Sequence, residues 1–218
     1  MSGETAWTTC AEPAIGLRSM VLSDGPVGVR GTSWDERAWG ANTPSPTALA
    51  ASWDPDLVER IGALLGGEAR RKHVDVLLAP TVNLHRTPYG GRHFECLSED
   101  PYLTARIGAA YIAGVQSQGI GATVKHYVAN DSETERMTYE AVVDEQTLYE
   151  VYLRPFEEIL AAARPWLVMA AYNAVNGPTM TENALLTDPL RTRWAFDGVL
   201  VSDWNAVRST ALAANAET

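Results

Sequence analysis

Five short apolar runs, set apart by helix-length segments, constrain this chain more than any other feature. They lie at residues 19–26 (SMVLSDGP), 74–80 (VDVLLAP), 121–127 (GATVKHY), 167–173 (LVMAAYN) and 198–204 (GVLVSDW). Runs this short and rich in valine and leucine read as buried strands of a parallel sheet. Between them, Asp54-Pro55 and Asp100-Pro101 each place a capping aspartate before a proline in a first helical turn. Leu57, Ile61, Leu64 and Leu65 are the expected apolar face of the first helix. Leu103, Ile107, Tyr111 and Ile112 are that of the second, which should stop near Gly119. A third helix is expected from about Asp144 with a kink at Pro155, and a fourth within about 182–195. Such alternation means a mostly parallel sheet with right-handed crossovers.

The polar residues decide between an open sheet and a barrel. A dinucleotide fold wants G-x-G-x-x-G directly after an early strand, but Gly62, Gly66 and Gly67 fall inside a helix. Lys125 and His126, Tyr172 and Asn173, and Ser202 and Asp203 instead stand at the C-terminal ends of successive strands. Chemistry gathered from the ends of many strands is the habit of the (β/α)8 barrel, and the expected fold is α/β, a TIM-like barrel. About five strands are countable where a full barrel has eight. The chain is therefore expected to be a single domain that stops before its barrel closes, incomplete at the C-terminal end.

Composition limits the partners. Of 218 residues, 17 are basic and 27 acidic, a net charge of −10 that argues against nucleic acid or an anionic membrane. Cys10 and Cys96 form no CxxC pair and read as free thiols. No apolar run approaches a membrane span, and the opening MSGETAWTTC lacks a signal peptide's basic and apolar regions, so the expected location is cytoplasmic. The Gly/Pro/Trp-rich segment to about residue 46, with Arg30, Trp34, Asp35 and Trp39, reads as an irregular surface loop, and loops of that length are usually functional.

Asp203 ends an apolar strand beside Trp204. A carboxylate fixed there against an aromatic wall suits attack on a sugar carbon, while aspartate also caps helices; the stretch itself leaves both open. Lys125 is harder to read as structural, because burying an ammonium without a partner is costly. Arg92, three residues before Glu95, and Arg136 would singly pass for solvated charges. Taken together, Asp24, Arg92, Lys125, His126, Arg136, Tyr172, Asp203 and Trp204 all fall at strand ends or in the loops after them. Carboxylates and cationic donors round an aromatic platform suit a polyhydroxylated ring.

The motifs SDGPVGVRG (23–31), LAPTVNLHRTPYGGRHFE (78–95), SEDPYL (98–103), KHYVAND (125–131), ERM (135–137), MAAYNAVNG (169–177) and GVLVSDW (198–204) resemble those of glycoside hydrolase family 3, in family order over nearly the whole chain. The resemblance implies a retaining, exo-acting hydrolase of β-linked glucosides or oligosaccharides, with no metal and no cofactor. Its nucleophile would match Asp203. Asp24 would accept from the outer hydroxyls of a glucose-like ring. Arg92, Lys125 and His126 would grip the next hydroxyls, Arg136 would support the one beside the anomeric carbon, Tyr172 would lie close to Asp203, and Trp204 would wall the site. The scheme uses two carboxyl groups, one attacking and one protonating the leaving oxygen.

Two departures qualify it. His93 stands where the family usually has asparagine. The family's acid/base glutamate comes from a later segment, and nothing here matches it, so this chain alone is expected to turn over ordinary glycosides poorly. Three other readings stay open: another glycone, such as that of a β-xylosidase, arabinosidase or N-acetyl-hexosaminidase; a metal-dependent hydrolase using His85, His93, His126 and Asp203; and a non-catalytic sugar-binding remnant. Unpaired strand edges in an incomplete barrel would also invite self-association.

Overall fold

The computed structural model of the chain describes residues 3–33, 35 and 37–216, so Trp34 of the loop reading lies outside the described residues. A five-stranded sheet forms from β1 (Leu22–Asp24), β2 (Val76–Leu78), β3 (Gly121–Tyr127), β4 (Leu167–Ala170) and β5 (Val199–Ser202). Neighbours are parallel and follow chain order throughout, Leu22 facing Val76, Val76 facing Gly121, Thr123 facing Leu167, and Leu167 facing Val199. Sequential order is what a barrel requires; a doubly wound sheet would reverse at a switch point.

The period of two sorts the strand side chains into two cores. Leu77, Val124, Val168, Ala170 and Leu200 face the helices and join the main core. Leu22, Val76, Leu78, Leu167 and Met169 form a smaller cluster on the other face, with Trp7, Met20, Val201 and Trp204 packed against it. Both faces are thus covered, which is why the strands read as continuous apolar runs.

Among the described residues, the α-helices of six residues or more are α1 (Pro55–Arg71), α2 (Pro101–Gln116), α3 (Arg154–Ala163) and α4 (Thr210–Asn215). Asp54 and Asp100 cap α1 and α2 as the sequence predicts, accepting from Leu57 N at 2.9 Å and Tyr102 N at 2.7 Å. The predicted face of α1 holds at Leu65 and Ile61, which lie in or against the main core, and needs correction at Leu64. Leu64 is 49 % exposed, whereas Val58, Gly62, Leu65, Gly66 and Ala69 are buried. Glycines set that face: a Cβ on Gly62 would stand 2.4 Å from Tyr111 O, and one on Gly114 of α2 2.0 Å from Glu59 O. The two helices meet backbone to backbone, so the larger side chains lie outside the seam.

Two further expectations change. The helix from Asp144 starts as Glu145–Thr147, widens into a π turn at Leu148–Tyr152 and restarts as α3 with Pro155 in its first turn, so the run is interrupted just before the proline. Residues 182–195 form no regular α-helix but short 3-10 turns and a turn broken at Asp188, whose φ of −126° and ψ of 118° are extended. The residue before a proline is pushed out of the helical region, and Pro189 follows. No helix among the described residues is long and apolar enough to cross a membrane.

Candidate active site

All eight residues singled out in the sequence line one cavity of about 390 Å3 at the C-terminal ends of the strands. Trp7, Pro26, Glu95 and Met169 complete its walls. Asp24 closes β1, Lys125 and His126 lie near the end of β3, Tyr172 follows β4, and Asp203 follows β5. Adjacent strand residues normally face opposite ways. Lys125 and His126 nevertheless both reach the cavity, because the pairing of β3 with β4 shifts register between Lys125 and Tyr127.

Asp203 is 8 % exposed. Its Oδ1 accepts from Trp204 N at 2.8 Å, while Oδ2 is buried with no hydrogen-bond partner among the described residues. Burial raises the Asp203 carboxyl above its ordinary value, and the Trp204 N–H, Tyr172, Lys125 and Arg92 pull against that rise. Burial, followed by the charge of Asp203, also raises the Tyr172 hydroxyl. One carboxylate oxygen is thus fixed and the other bare, aimed into a polar cavity. The helix-cap reading does not describe it: Ser209, not Asp203, caps α4.

The cations are held by carboxylates. Lys125 is 3 % exposed, and its Nζ lies 3.8 Å from Asp24 Oδ1. Burial lowers its pKa, with Asp24 and Glu95 opposing. Arg92 Nη2 meets Glu95 Oε2 at 2.8 Å, and Arg92 Nη1 lies 3.6 Å from Glu133 Oε1. Arg136 donates to Glu133 Oε2 at 2.6 Å and stacks 5.0 Å from the Tyr172 ring. Burial pushes Glu95 up, but Arg92 and Lys125 outweigh it and leave the carboxyl below its ordinary range. These carboxylates orient the cationic donors.

The aromatic wall is a pair. Trp204 donates through Nε1 to Ala6 O at 2.9 Å, and its ring lies 5.5 Å from that of Trp7. Arg30 stacks on the other ring, 3.8 Å from the Trp7 centroid. Sequence reasoning missed Trp7, since nothing local distinguishes a tryptophan that folds back across the chain. Met169 had a signal in its place on the inward face of β4, and Glu95 in its spacing from Arg92.

The four-ligand metal reading does not assemble. His85 and His93 gather with Cys96, their ligand atoms within 4.8 Å of one another, whereas His126 faces Asp203. Burial raises the Cys96 thiol to about 12, so it is protonated, and Cys10 is a free thiol like Cys96. His93 turns its Nε2 back against Thr87 O of its own loop and stays outside the cavity lining.

Comparison with known proteins places this geometry. The chain matches the glycosyl hydrolase family 3 N-terminal domain over residues 6–218. It is 52 % identical to a β-glucosidase from Rhizobium radiobacter, over 99 % of this chain and 27 % of that protein. It is 46 % identical to thermostable β-glucosidase B from Acetivibrio thermocellus, over 94 % of this chain and 28 % of that protein. Among solved structures, β-glucosidase 3B from Thermotoga neapolitana in complex with glucose superposes with a TM-score of 0.91 at 42 % identity, covering 96 % of this chain and 30 % of that one. The Bifidobacterium adolescentis family 3 β-glucosidase gives 0.94 at 38 % identity, covering 99 % and 32 %. This chain therefore spans little more than a quarter of the curated relatives it matches. From its fold, its strand-end cavity and these likenesses, the chain belongs to glycosyl hydrolase family 3, as a TIM-barrel-like N-terminal domain.

Proposed function

We propose that this chain carries the sugar-binding cavity and the nucleophile of a retaining β-glucosidase. One observation carries the reading: Asp203 presents a buried, unpartnered carboxylate oxygen into a cavity lined by cations and a tryptophan pair. Oδ2 attacks the anomeric carbon of a β-glucoside as the bond to the aglycone breaks, and water later releases the glycosyl-enzyme. Lys125, Arg92 and Arg136 donate to the ring hydroxyls, His126 reads one of them, and Asp24 accepts from the outermost. Tyr172 steadies Asp203, and Trp204 with Trp7 stacks on the sugar face. The likeness to a glucose complex supports glucose as the glycone over a pentose or an N-acetylated sugar.

The leaving oxygen still needs a proton. Asp24 faces Lys125 and Arg30, Glu95 is bonded to Arg92, and Asp203 is the proposed nucleophile, so none of the three cavity carboxylates is left to supply the acid. The general acid of the proposed reaction comes from outside this set, as the family resemblance implies, and substrates whose leaving group needs little protonation are the ones this chain should cleave. Steady-state hydrolysis of nitrophenyl β-glucoside, β-xyloside and N-acetyl-β-glucosaminide tests the reading. Preference for the glucoside supports it; equal or greater activity on either of the others would replace the glycone, and glucose binding with no turnover of any would leave only a sugar-binding domain.

A further inference from the structure

Asn83 lies in the loop after β2, is 4 % exposed, and meets the backbone of His126 on both sides. Its Oδ1 accepts from His126 N at 2.9 Å, and its Nδ2 donates to His126 O at 2.9 Å. These two bonds fix which end of the amide is oxygen, since a flipped amide would set N–H against N–H and oxygen against oxygen. With that orientation set, Oδ1 also lies 3.0 Å from His126 Nδ1. An amide oxygen only accepts, so Nδ1 must carry a proton.

The other ring nitrogen faces the cavity. His126 Nε2 is 3.5 Å from Arg92 Nη2, a donor, and 3.5 Å from Asp203 Oδ2, an acceptor. A bare Nε2 accepts the first and leaves the second alone, which agrees with the unpartnered state of Oδ2. A protonated Nε2 would donate to Oδ2 and occupy the oxygen that the proposed attack uses. The charged groups around the ring are Lys125 on the same strand, Arg92 and Arg136 from the neighbouring loops, and Asp203. Burial and then the three cations hold His126 well below its ordinary value, so the neutral ring prevails at neutral pH.

We propose that Asn83 is a positioning residue that holds neutral His126 as its Nδ1–H tautomer, which keeps Asp203 Oδ2 free and leaves the single Nε2 lone pair, met only at 3.5 Å by Arg92 Nη2, to be taken over by a sugar hydroxyl. The tautomer follows from the hydrogen bonds of this chain; its use in catalysis rests on the β-glucosidase reading. The functional result is a polarity filter. Lys125 and Arg92 give hydrogens to the sugar and His126 takes one. The hydroxyl it reads must therefore donate, and a fluorine or ether in its place does not.

Long-range heteronuclear NMR on the full chain, labelled in the histidine ring nitrogens and assigned by loss of one signal set in H126Q, reads the tautomer directly. The expected wild-type pattern at neutral pH is a protonated Nδ1 and a bare Nε2. A protonated Nε2, alone or in an imidazolium, overturns the proposal. In N83A, with the other histidine signals unchanged, the fixed Nδ1–H pattern should give way to a tautomer mixture, and glucose binding should weaken about tenfold for the hydrogen bond lost. Persistence of the wild-type pattern in N83A would also overturn it. Because the ring pattern is read without turnover, an Nδ1–H signal in an inactive protein leaves the tautomer standing and removes only the glucosidase reading.

Discussion

At the scale of single residues, the proposed nucleophile Asp203 owes its setting to the strand it follows. One oxygen is fixed through Trp204 N, and the other is buried without a hydrogen-bond partner among the described residues. Asp203→Asn should lower hydrolysis of activated glucosides by on the order of 10^4 or more while glucose binding persists, as steady-state kinetics and calorimetry would show. The cations have a second role, because they oppose the rise in the Asp203 pKa. Lys125→Met removes one of them, so Asp203 should ionise at higher pH and the acid limb of the kcat/KM profile should move upward. Asp131 behaves in the opposite sense from a salt-bridged acid. Burial lifts it from 3.8 to about 6, even though Leu84 N donates to it at 3.1 Å. Its fold prefers the protonated form, so the contribution is complete below about pH 4 and is lost as pH rises through about 6. Asp131→Asn should remove that slope and stabilise the protein near neutral pH by up to ~3 kcal/mol, the ceiling for a shift of about two units, in urea titrations run across pH.

At the scale of elements, the α1–α2 seam depends on glycine. Gly114→Ala would set a methyl 2.0 Å from Glu59 O, where backbone must move. A loss of about 1–3 kcal/mol is expected in thermal melts. Gly67, in the partner helix α1, has nothing within 4 Å of a would-be Cβ, so Gly67→Ala should instead stabilise by about 0.5–1 kcal/mol. Equal effects at the two positions would contradict the close-packed seam. This contrast marks a limit of sequence reading. Strand positions were legible because both faces of a parallel sheet are apolar and the cap-plus-proline signals are local. The buried face of α1 was legible at Leu65 and Ile61 but not at Gly62 and Gly66, because a glycine seam leaves no apolar side-chain pattern. The stretch at 182–195 misled for a related reason, its apolar content fitting a helix that Pro189 forbids at Asp188.

At the scale of the whole molecule, the cavity residues were legible where they interrupt an apolar run at its C-terminal end, as Lys125, His126 and Asp203 do. Trp7 and Asn83 were not. The segment holding Trp7 reaches Trp204 through a hydrogen bond spanning 198 residues, and Asn83 acts on backbone 43 residues away. Neither contact leaves a mark in local pattern. The same long-range closure covers part of one sheet edge, for Leu22 N donates to Trp7 O at 2.8 Å beside β1, whereas β5 ends the sheet at the other side with Val199 exposed. As a proposal for this 218-residue chain, the β5 edge should pair copies with rising concentration. Sedimentation velocity would show it, and a monomer at every concentration would contradict it. The central claim is the nucleophile, and it is tested most directly by intact-protein mass spectrometry after incubation with a 2-deoxy-2-fluoro-β-glucoside bearing a good leaving group. The account predicts one added fluoroglucosyl unit, mapped to the peptide containing Asp203 and lost in Asp203→Asn. A folded protein that stays unlabelled, or a label on another residue, would contradict it.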